Sequence, residues 1–122
     1  MSDKYILDAR GEPVICRDLM AWARWFEAND DRRVVAQDEV GAVLVSTIFL
    51  GVDYSWGPGR PLLWETMIFG GAHDQYQERY ASRAEAVAGH ARARALATSS
   101  AVGSGDSVGE ARDPQGASGP TP

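Results

Sequence analysis

Two apolar segments with strand-like alternation, residues 43–49 and 62–69, most constrain how this chain can fold. In both segments the residues on the two alternating faces are mostly apolar, which is typical of central strands that are covered on both sides. The residues between them, 51–60, read GVDYSWGPGR and predict a long hairpin loop. We therefore expect two adjacent antiparallel strands at the centre of a small sheet.

The flanking segments complete a pattern of strands and helices. Residues 4–8 and 14–16 are brief apolar runs around a Gly/Pro turn, and they predict a first hairpin. Residues 32–37 predict a strand, residues 38–41 a turn, and the charged alternation at 76–80 an exposed edge strand. The predicted order is β-β-α-β-β-β-β-α, an α+β fold around a small antiparallel meander.

Two helices are predicted from their caps and from their apolar spacing. Asp18 is a suitable N-cap for the first helix, and Trp25 is expected to stay partly exposed or to cover a neighbouring loop. Ser82 and Glu85 form a capping box for the second helix. The predicted core-facing stripe of the first helix consists of Leu19, Trp22, Ala23 and Phe26. The predicted sheet-facing stripe of the second helix consists of Ala84, Val87, Ala88, Ala91 and Ala95.

Composition divides the chain after residue 97. All Trp, Tyr and Phe residues precede residue 81, whereas residues 98–122 are dominated by Gly, Ser, Ala and Pro. Such a segment cannot bury enough apolar surface to offset the entropy that ordering would cost. We expect a single folded α+β domain over residues 1–97 and a disordered tail over residues 98–122.

Charge and cysteine content exclude several classes of protein. The net charge of −5 leaves no basic footprint for nucleic acid. The single cysteine, Cys16, excludes an intrachain disulfide and a metal site with several thiolates. No apolar run reaches the length of a membrane span, and no apolar signal segment follows Met1. We expect a soluble, cytoplasmic protein with no metal, no cofactor, and no nucleic-acid or membrane partner.

Two residues are candidates for catalysis, Glu65 and His73. Glu65 lies mid-strand among apolar residues, where a desolvated carboxylate has a raised pKa or takes a cationic partner, here Arg60, Arg79 or His73. The interpretation that we favour places Glu65 on the solvent side or in a structural salt bridge with Arg79. His73 follows a Gly-Gly pair, where it suits acid–base chemistry or an ordinary polar loop. We interpret His90 as a residue towards the end of the last helix. The spacing between His90 and His73 matches no metal-binding motif.

The loops are better candidates for a binding site than the strands. Aromatic residues on a loop that a rigid sheet holds are typical recognition residues. Two interpretations of Trp56 stay open at this point: an exposed contact residue, or a residue that folds back over the core. The predicted contact residues are Asp53, Tyr54, Trp56, Arg60, His73 and Arg79.

Three blocks, VSTIFLG, LLWETMIFGG and EAVAGH, occur in this order, with an Arg-Tyr pair before the capped helix. Between Lys4 and His90 the chain thereby resembles a type of short protein encoded in phages and prophages. The resemblance implies an accessory gene and carries no activity, cofactor or catalytic residue.

Together, these observations favour a small binding module that recognises a host protein or a small ligand through loops that connect strands. Two alternatives stay open. One is a minor hydrolase-like enzyme that uses Glu65 and His73. The other is a structural subunit whose paired edge strands build a homo-oligomer.

Overall fold

The chain folds with the predicted α+β order of elements, to which the structure adds one short helix. The computed structural model describes residues 3–103, and the part of the predicted tail from residue 104 to residue 122 lies outside the described residues. The elements are β1 (Tyr5–Leu7), β2 (Pro13–Ile15), α1 (Leu19–Ala28), α2 (Asp30–Arg33), β3 (Val34–Val40), β4 (Val43–Phe49), β5 (Trp64–Phe69), β6 (Gln77–Tyr80) and α3 (Arg83–Gly103).

The strands form two antiparallel sheets. β1 pairs with β2, and β3 to β6 form a four-stranded sheet in which the order in space is the order in the chain. The turn between β3 and β4 is shorter than predicted, because Asp38 and Glu39 pair with β4 instead of turning away from it. Only Gly41 and Ala42 connect the two strands, and Gly41 has the positive φ, 60°, that a two-residue hairpin turn needs.

Helix α3 covers one face of the four-stranded sheet. Along β4 the side chains alternate between buried and half-buried, and Val45, Thr47 and Phe49 are on the buried side. No helix within residues 3–103 covers the second face, and Phe69 on it is 43% exposed. The expectation that both faces are covered is therefore wrong. We call the second face the open face; its central part consists of Leu44, Ser46, Ile48, Glu65, Met67 and Phe69.

Two apolar clusters lie on the covered face. In the first, Phe49 packs edge-on against Trp64, with ring centroids 5.3 Å apart, and Trp25 packs edge-on against Phe49 at 6.1 Å. The second cluster surrounds Val45 and Ile68, which contact small residues of α3. Along β4 and β5, polar residues separate the two clusters, so the core is not continuous across the sheet.

Helix α1 packs on β1 of the small hairpin, and its Trp25 reaches Phe49 of the main sheet. Asp18 caps it as predicted, accepting hydrogen bonds from the backbone N–H of Met20 (3.0 Å) and of Ala21 (3.1 Å). The predicted core stripe is confirmed only in part: Trp22, Ala23 and Phe26 are half-buried, whereas Leu19 is 59% exposed and no residue of α1 is fully buried. Trp22 explains the placement, since its indole N–H donates to the backbone carbonyls of Gly51 and of β1.

Helix α3 has the predicted capping box but a different buried face. The backbone N–H of Glu85 donates to the Ser82 hydroxyl at 3.1 Å, and the Glu85 carboxylate accepts from the Ala81 N–H at 3.1 Å. The predicted sheet-facing stripe is wrong, because all of its residues are exposed. Between residues 83 and 99, the residues that α3 buries are Ala86, Gly89, His90, Ala93 and Ala97.

Gly89 and His90 explain this difference. A Cβ atom at Gly89 would lie 2.0 Å from the hydroxyl oxygen of Tyr80, so only glycine lets the helix approach the sheet this closely. Because glycine and histidine are not apolar side chains, the sequence pattern does not mark this face of α3 as the buried one. The helix also continues through Thr98 to Gly103, so the predicted domain boundary at residue 97 falls inside α3. Within residues 3–103, no helix combines the length and apolar character that crossing a bilayer requires.

Candidate functional site

A line of polar side chains crosses the covered face of the sheet. The Thr47 hydroxyl oxygen lies 2.5 Å from that of Thr66 and 2.7 Å from Nδ1 of His90. Nε2 of His90 lies 2.7 Å from a carboxylate oxygen of Asp38. Both threonines are fully buried, and His90 is 6% exposed. Nε2 of His90 pairs with Asp38, and Nδ1 pairs with the Thr47 hydroxyl, which can donate or accept, so each buried group has a partner.

This hydroxyl–imidazole–carboxylate line has the composition of a catalytic triad but not its accessibility. A nucleophile must reach a bound substrate, and the Thr47 side chain has no exposed surface. The line therefore acts as a structural network that joins α3 to β3, β4 and β5. The hydrogen bond from His90 holds the pKa of Asp38 below its ordinary value.

This network does not follow from the sequence pattern. His90 and Asp38 are 52 positions apart, and the sequence around Asp38 predicts a turn. One signal was available, because Thr47 and Thr66 are polar residues on strand faces that are otherwise apolar. Two such residues on neighbouring strands need a buried polar partner, and a histidine on the last helix is a suitable one.

Glu65 forms the salt bridge that the sequence analysis favoured. Its carboxylate accepts from Nε of Arg79 at 3.0 Å and from the side-chain amide of Gln77. The Arg79 guanidinium also lies over the Tyr54 ring, 4.6 Å from its centroid. The structure therefore brings Tyr54, Glu65 and Arg79 together at the edge of the open face.

His73 does not join this group. It lies in the turn between β5 and β6, where its carbonyl accepts from the Tyr76 N–H at 3.0 Å. Glu65 is four residues before the end of β5 at Phe69, which places it about 13 Å from that end at the usual rise of a strand. No hydrogen bond within residues 3–103 connects His73 with Glu65. The two predicted catalytic residues thus do not form an acid–base pair here.

The loop between β4 and β5 is fixed at its base. One carboxylate oxygen of Asp53 accepts from the backbone N–H of Ser55 at 2.8 Å and of Leu62 at 3.0 Å. Burial alone would raise the pKa of Asp53, but these hydrogen bonds lower it below the ordinary value. Asp53 is therefore a brace that joins the two ends of the loop. This role is structural and does not depend on contact with a partner.

The tip of the same loop is open. Trp56 is 95% exposed, so it does not fold back over the core. On the other side of the tip, the Arg60 guanidinium forms a bidentate ion pair with the Glu85 carboxylate on α3, at 3.1 and 3.4 Å. The loop thus projects an indole ring between two fixed ends.

A cleft of about 510 Å³ lies between β6 and α3, next to this loop. Its ends carry two ion pairs, Arg60 with Glu85 and Arg92 with Glu78, the latter at 3.2 Å. Glu85 and Arg92 are seven positions apart on α3, a separation of about 10 Å along the helix. The remaining lining comes from Leu62, Arg79, Tyr80, Ala81 and Ala88.

Tyr80 lies at the floor of the cleft and connects it to the core. Its hydroxyl donates to the Glu78 carboxylate at 3.1 Å, and that carboxylate also accepts from Tyr76 at 3.1 Å. Burial raises the pKa of Tyr80 to about 12. Tyr80 therefore remains a protonated donor at neutral pH and holds Glu78 in place beside Arg92.

The predicted contact residues fall into two groups. Asp53, Tyr54, Trp56 and Arg60 belong to the β4–β5 loop, and Arg79 adjoins it, whereas His73 lies at the other end of β5. Among residues 3–103, no group of three His, Cys, Asp or Glu side chains is arranged to hold a metal ion. Comparisons of the chain with protein-family models, with curated proteins and with solved structures give no match.

Proposed function

We propose that this chain is a small binding module that recognises a partner protein through the β4–β5 loop and the adjoining cleft. The observation that carries the proposal is Trp56, which is almost wholly exposed on a loop that Asp53 braces. Tryptophan is among the residues that contribute most to protein interfaces. Because the base of the loop is already ordered, the loop loses little further conformational entropy when a partner covers Trp56.

Arg60 supports the same surface. Its ion pair with Glu85 is exposed, and such pairs contribute only about 0–1 kcal/mol to stability. A carboxylate of a partner can therefore replace Glu85 at small cost. An indole ring with a nearby guanidinium is a combination that is enriched at the centres of interfaces.

The resemblance to short phage and prophage proteins supports a bacterial host protein as the partner, in the host cytoplasm. A small ligand is the other class of partner for the same loop. The protruding position of Trp56 favours a protein, because small ligands are usually enclosed by the residues that bind them.

Photocrosslinking tests this proposal directly. A photoreactive phenylalanine at position 56 is compared with the same residue at position 19, since Leu19 is also exposed but lies on α1. In bacterial lysate, the expected result is a discrete adduct of defined mass from position 56 that is absent from position 19. The same adducts from both positions, or none from position 56, would contradict the proposal.

The open face favours a second candidate, a structural subunit of a homo-oligomer. Leu44, Ile48, Met67 and Phe69 are all at least partly exposed there. A stable interface through this face should bury more than about 1,000 Å² in total. Sedimentation of the wild type and of Phe69→Glu tests the candidate. It predicts a dimer that the charge dissociates, and it fails if the wild type stays monomeric at about 100 μM.

A further inference from the structure

Strand β6 has a free side. It is the last strand of its sheet, and no strand in the described part of the chain pairs with its outer edge. The backbone N–H of Ile68 donates to the carbonyl of Tyr76. Because hydrogen-bonded positions recur at every second residue of an antiparallel pair, Glu78 is the next residue of β6 to bond β5. The backbone groups of Gln77 and Arg79 therefore point outward.

The β3–β4 hairpin gives the same assignment by an independent route. Val40 and Val43 flank its two-residue turn and form its last hydrogen-bonded pair. Every second residue of β4, counted from Val43, then bonds β3, and the residues between them bond β5. When this alternation is followed through the registers of β5 and β6, Gln77 and Arg79 again point outward.

A second copy of β6 is a poor occupant of this edge. When two copies of one strand pair about a two-fold axis, opposing residues must lie on the same face of the sheet. The register must then centre on a residue, and that residue lies opposite its own copy. For the four residues of β6, the registers with most overlap centre on Glu78 or on Arg79. Each places like charges directly opposite one another, which is destabilising. The edge therefore favours a strand with a different sequence.

The cleft provides space for the side chains of such a strand. A strand added to β6 would lie about 4.8 Å outside it, and its side chains towards α3 would enter the cleft above Leu62, Tyr80 and Ala88. On the open face, Arg79 contacts Glu65 through Nε, so its terminal nitrogens can bind a further carboxylate. Both faces of an added strand thus find complementary chemistry.

We propose that β6 and the cleft bind an extended segment of a partner polypeptide, which adds to the sheet as a fifth strand. The segment carries an apolar side chain towards α3 and an acidic side chain beside Arg79. This inference rests on the proposed function, because it specifies the conformation and chemistry of the partner that the binding module recognises.

A random library of nine-residue peptides, selected against the full chain, provides the probe. The selected peptides are measured against the wild type, Gln77→Pro and Gln37→Pro. Gln77→Pro removes an outward N–H from β6, and Gln37→Pro removes one from β3, the other edge strand. The two variants are well matched, since each glutamine donates one side-chain hydrogen bond to a neighbouring strand. We expect Gln77→Pro to weaken binding at least about tenfold and Gln37→Pro less than about twofold.

Failure to select any peptide, equal binding to Gln77→Pro, or a larger effect of Gln37→Pro would overturn the inference. If Gln77→Pro does not fold, hydrogen exchange of the wild type decides instead. Bound peptide should then protect the amides of Gln77 and Arg79, and an absence of protection overturns strand addition. The photo-adduct at position 56 separates the two proposals. If it forms but the selected peptides do not compete with it, the binding module stands and strand addition fails.

Discussion

Nε2 of His90 lies 2.7 Å from the carboxylate of Asp38, and this contact ties α3 to β3, 52 positions earlier in the chain. The other residues that α3 buries between positions 83 and 99 are alanines and a glycine. Small side chains pack almost equally well at several rotations of a helix, whereas the imidazole has partners on both of its nitrogens. We conclude that His90 sets the rotation of α3 on the sheet.

Replacing His90 should therefore destabilise the fold more than replacing the other histidine. In His90→Leu, the buried hydroxyl of Thr47 loses its imidazole partner, and leaving a buried polar group without a partner costs about 1–3 kcal/mol. His73→Leu, in the β5–β6 turn, should change the free energy of unfolding by less than about 0.5 kcal/mol. Urea unfolding followed by circular dichroism measures both, and equal losses would contradict a special role for His90.

The stability of the protein should fall in acid partly through Asp38. The hydrogen bond from His90 lowers the folded-state pKa of Asp38 below its unfolded value. Asp38 therefore contributes stability that is present above the unfolded pKa, about 3.9, and is lost as the pH falls through the lower folded pKa. As the pH falls from about 5 to below the folded-state pKa of Asp38, Asp38→Asn should lose less stability than the wild type.

Urea unfolding at a series of pH values measures this difference. The same substitution in a His90→Leu background provides the control, because the largest cause of the pKa shift is then absent and only the weaker effect of Arg94 remains. In that background, Asp38→Asn should change the dependence on pH less than it does in the wild-type background. An equal effect in both backgrounds would show that His90 is not the cause.

Gly89→Ala should destabilise the protein although alanine is the better helix former. Helix propensity alone predicts a gain of about 1 kcal/mol. The new Cβ, however, would lie 2.0 Å from the Tyr80 hydroxyl and 2.2 Å from its Cζ atom. Overpacking of this kind usually costs about 1–3 kcal/mol. We expect a lower thermal midpoint than the wild type, with Ala91→Gly on the exposed side of α3 as the control for propensity. A raised midpoint would disprove close packing at Gly89.

Asp53→Ala should loosen the β4–β5 loop. It removes the acceptor for the Ser55 and Leu62 backbone N–H groups, and loss of about 1 kcal/mol raises the open population roughly fivefold. Chymotrypsin cleavage after Tyr54 and Trp56 should accelerate by a similar factor. Asp74→Ala, which removes a comparable brace from the β5–β6 turn, should leave this cleavage rate unchanged.

The elements that could be predicted from the sequence are those that local interactions determine. The alternation in residues 43–49 and 62–69 predicted β4 and β5, which the structure shows as central strands. Asp18 and the Ser82–Glu85 pair predicted where two helices begin, because a cap needs only residues two or three positions away.

The features that could not be predicted depend on distant partners. The buried face of α3 was assigned wrongly because an alanine-rich helix has no distinct apolar stripe, and Gly89 and His90 do not score as apolar. The open face was expected to be covered because Leu44, Ile48 and Met67 are apolar, but coverage depends on which face the last helix selects. In the candidate site, the aromatic loop was predicted, whereas the contact of Arg60 with Glu85 joins residues 25 positions apart.

The agreement between spatial and sequential order in the four-stranded sheet has a consequence for the kinetics of folding. Each of β4, β5 and β6 pairs with the strand just before it, so the meander can form from pairs of consecutive strands, which keeps the entropy cost of loop closure low. Helix α3 contacts all four strands and requires the assembled sheet before His90 finds both partners. Substitutions at His90 should therefore mainly accelerate unfolding, while those in the β4–β5 hairpin should slow folding.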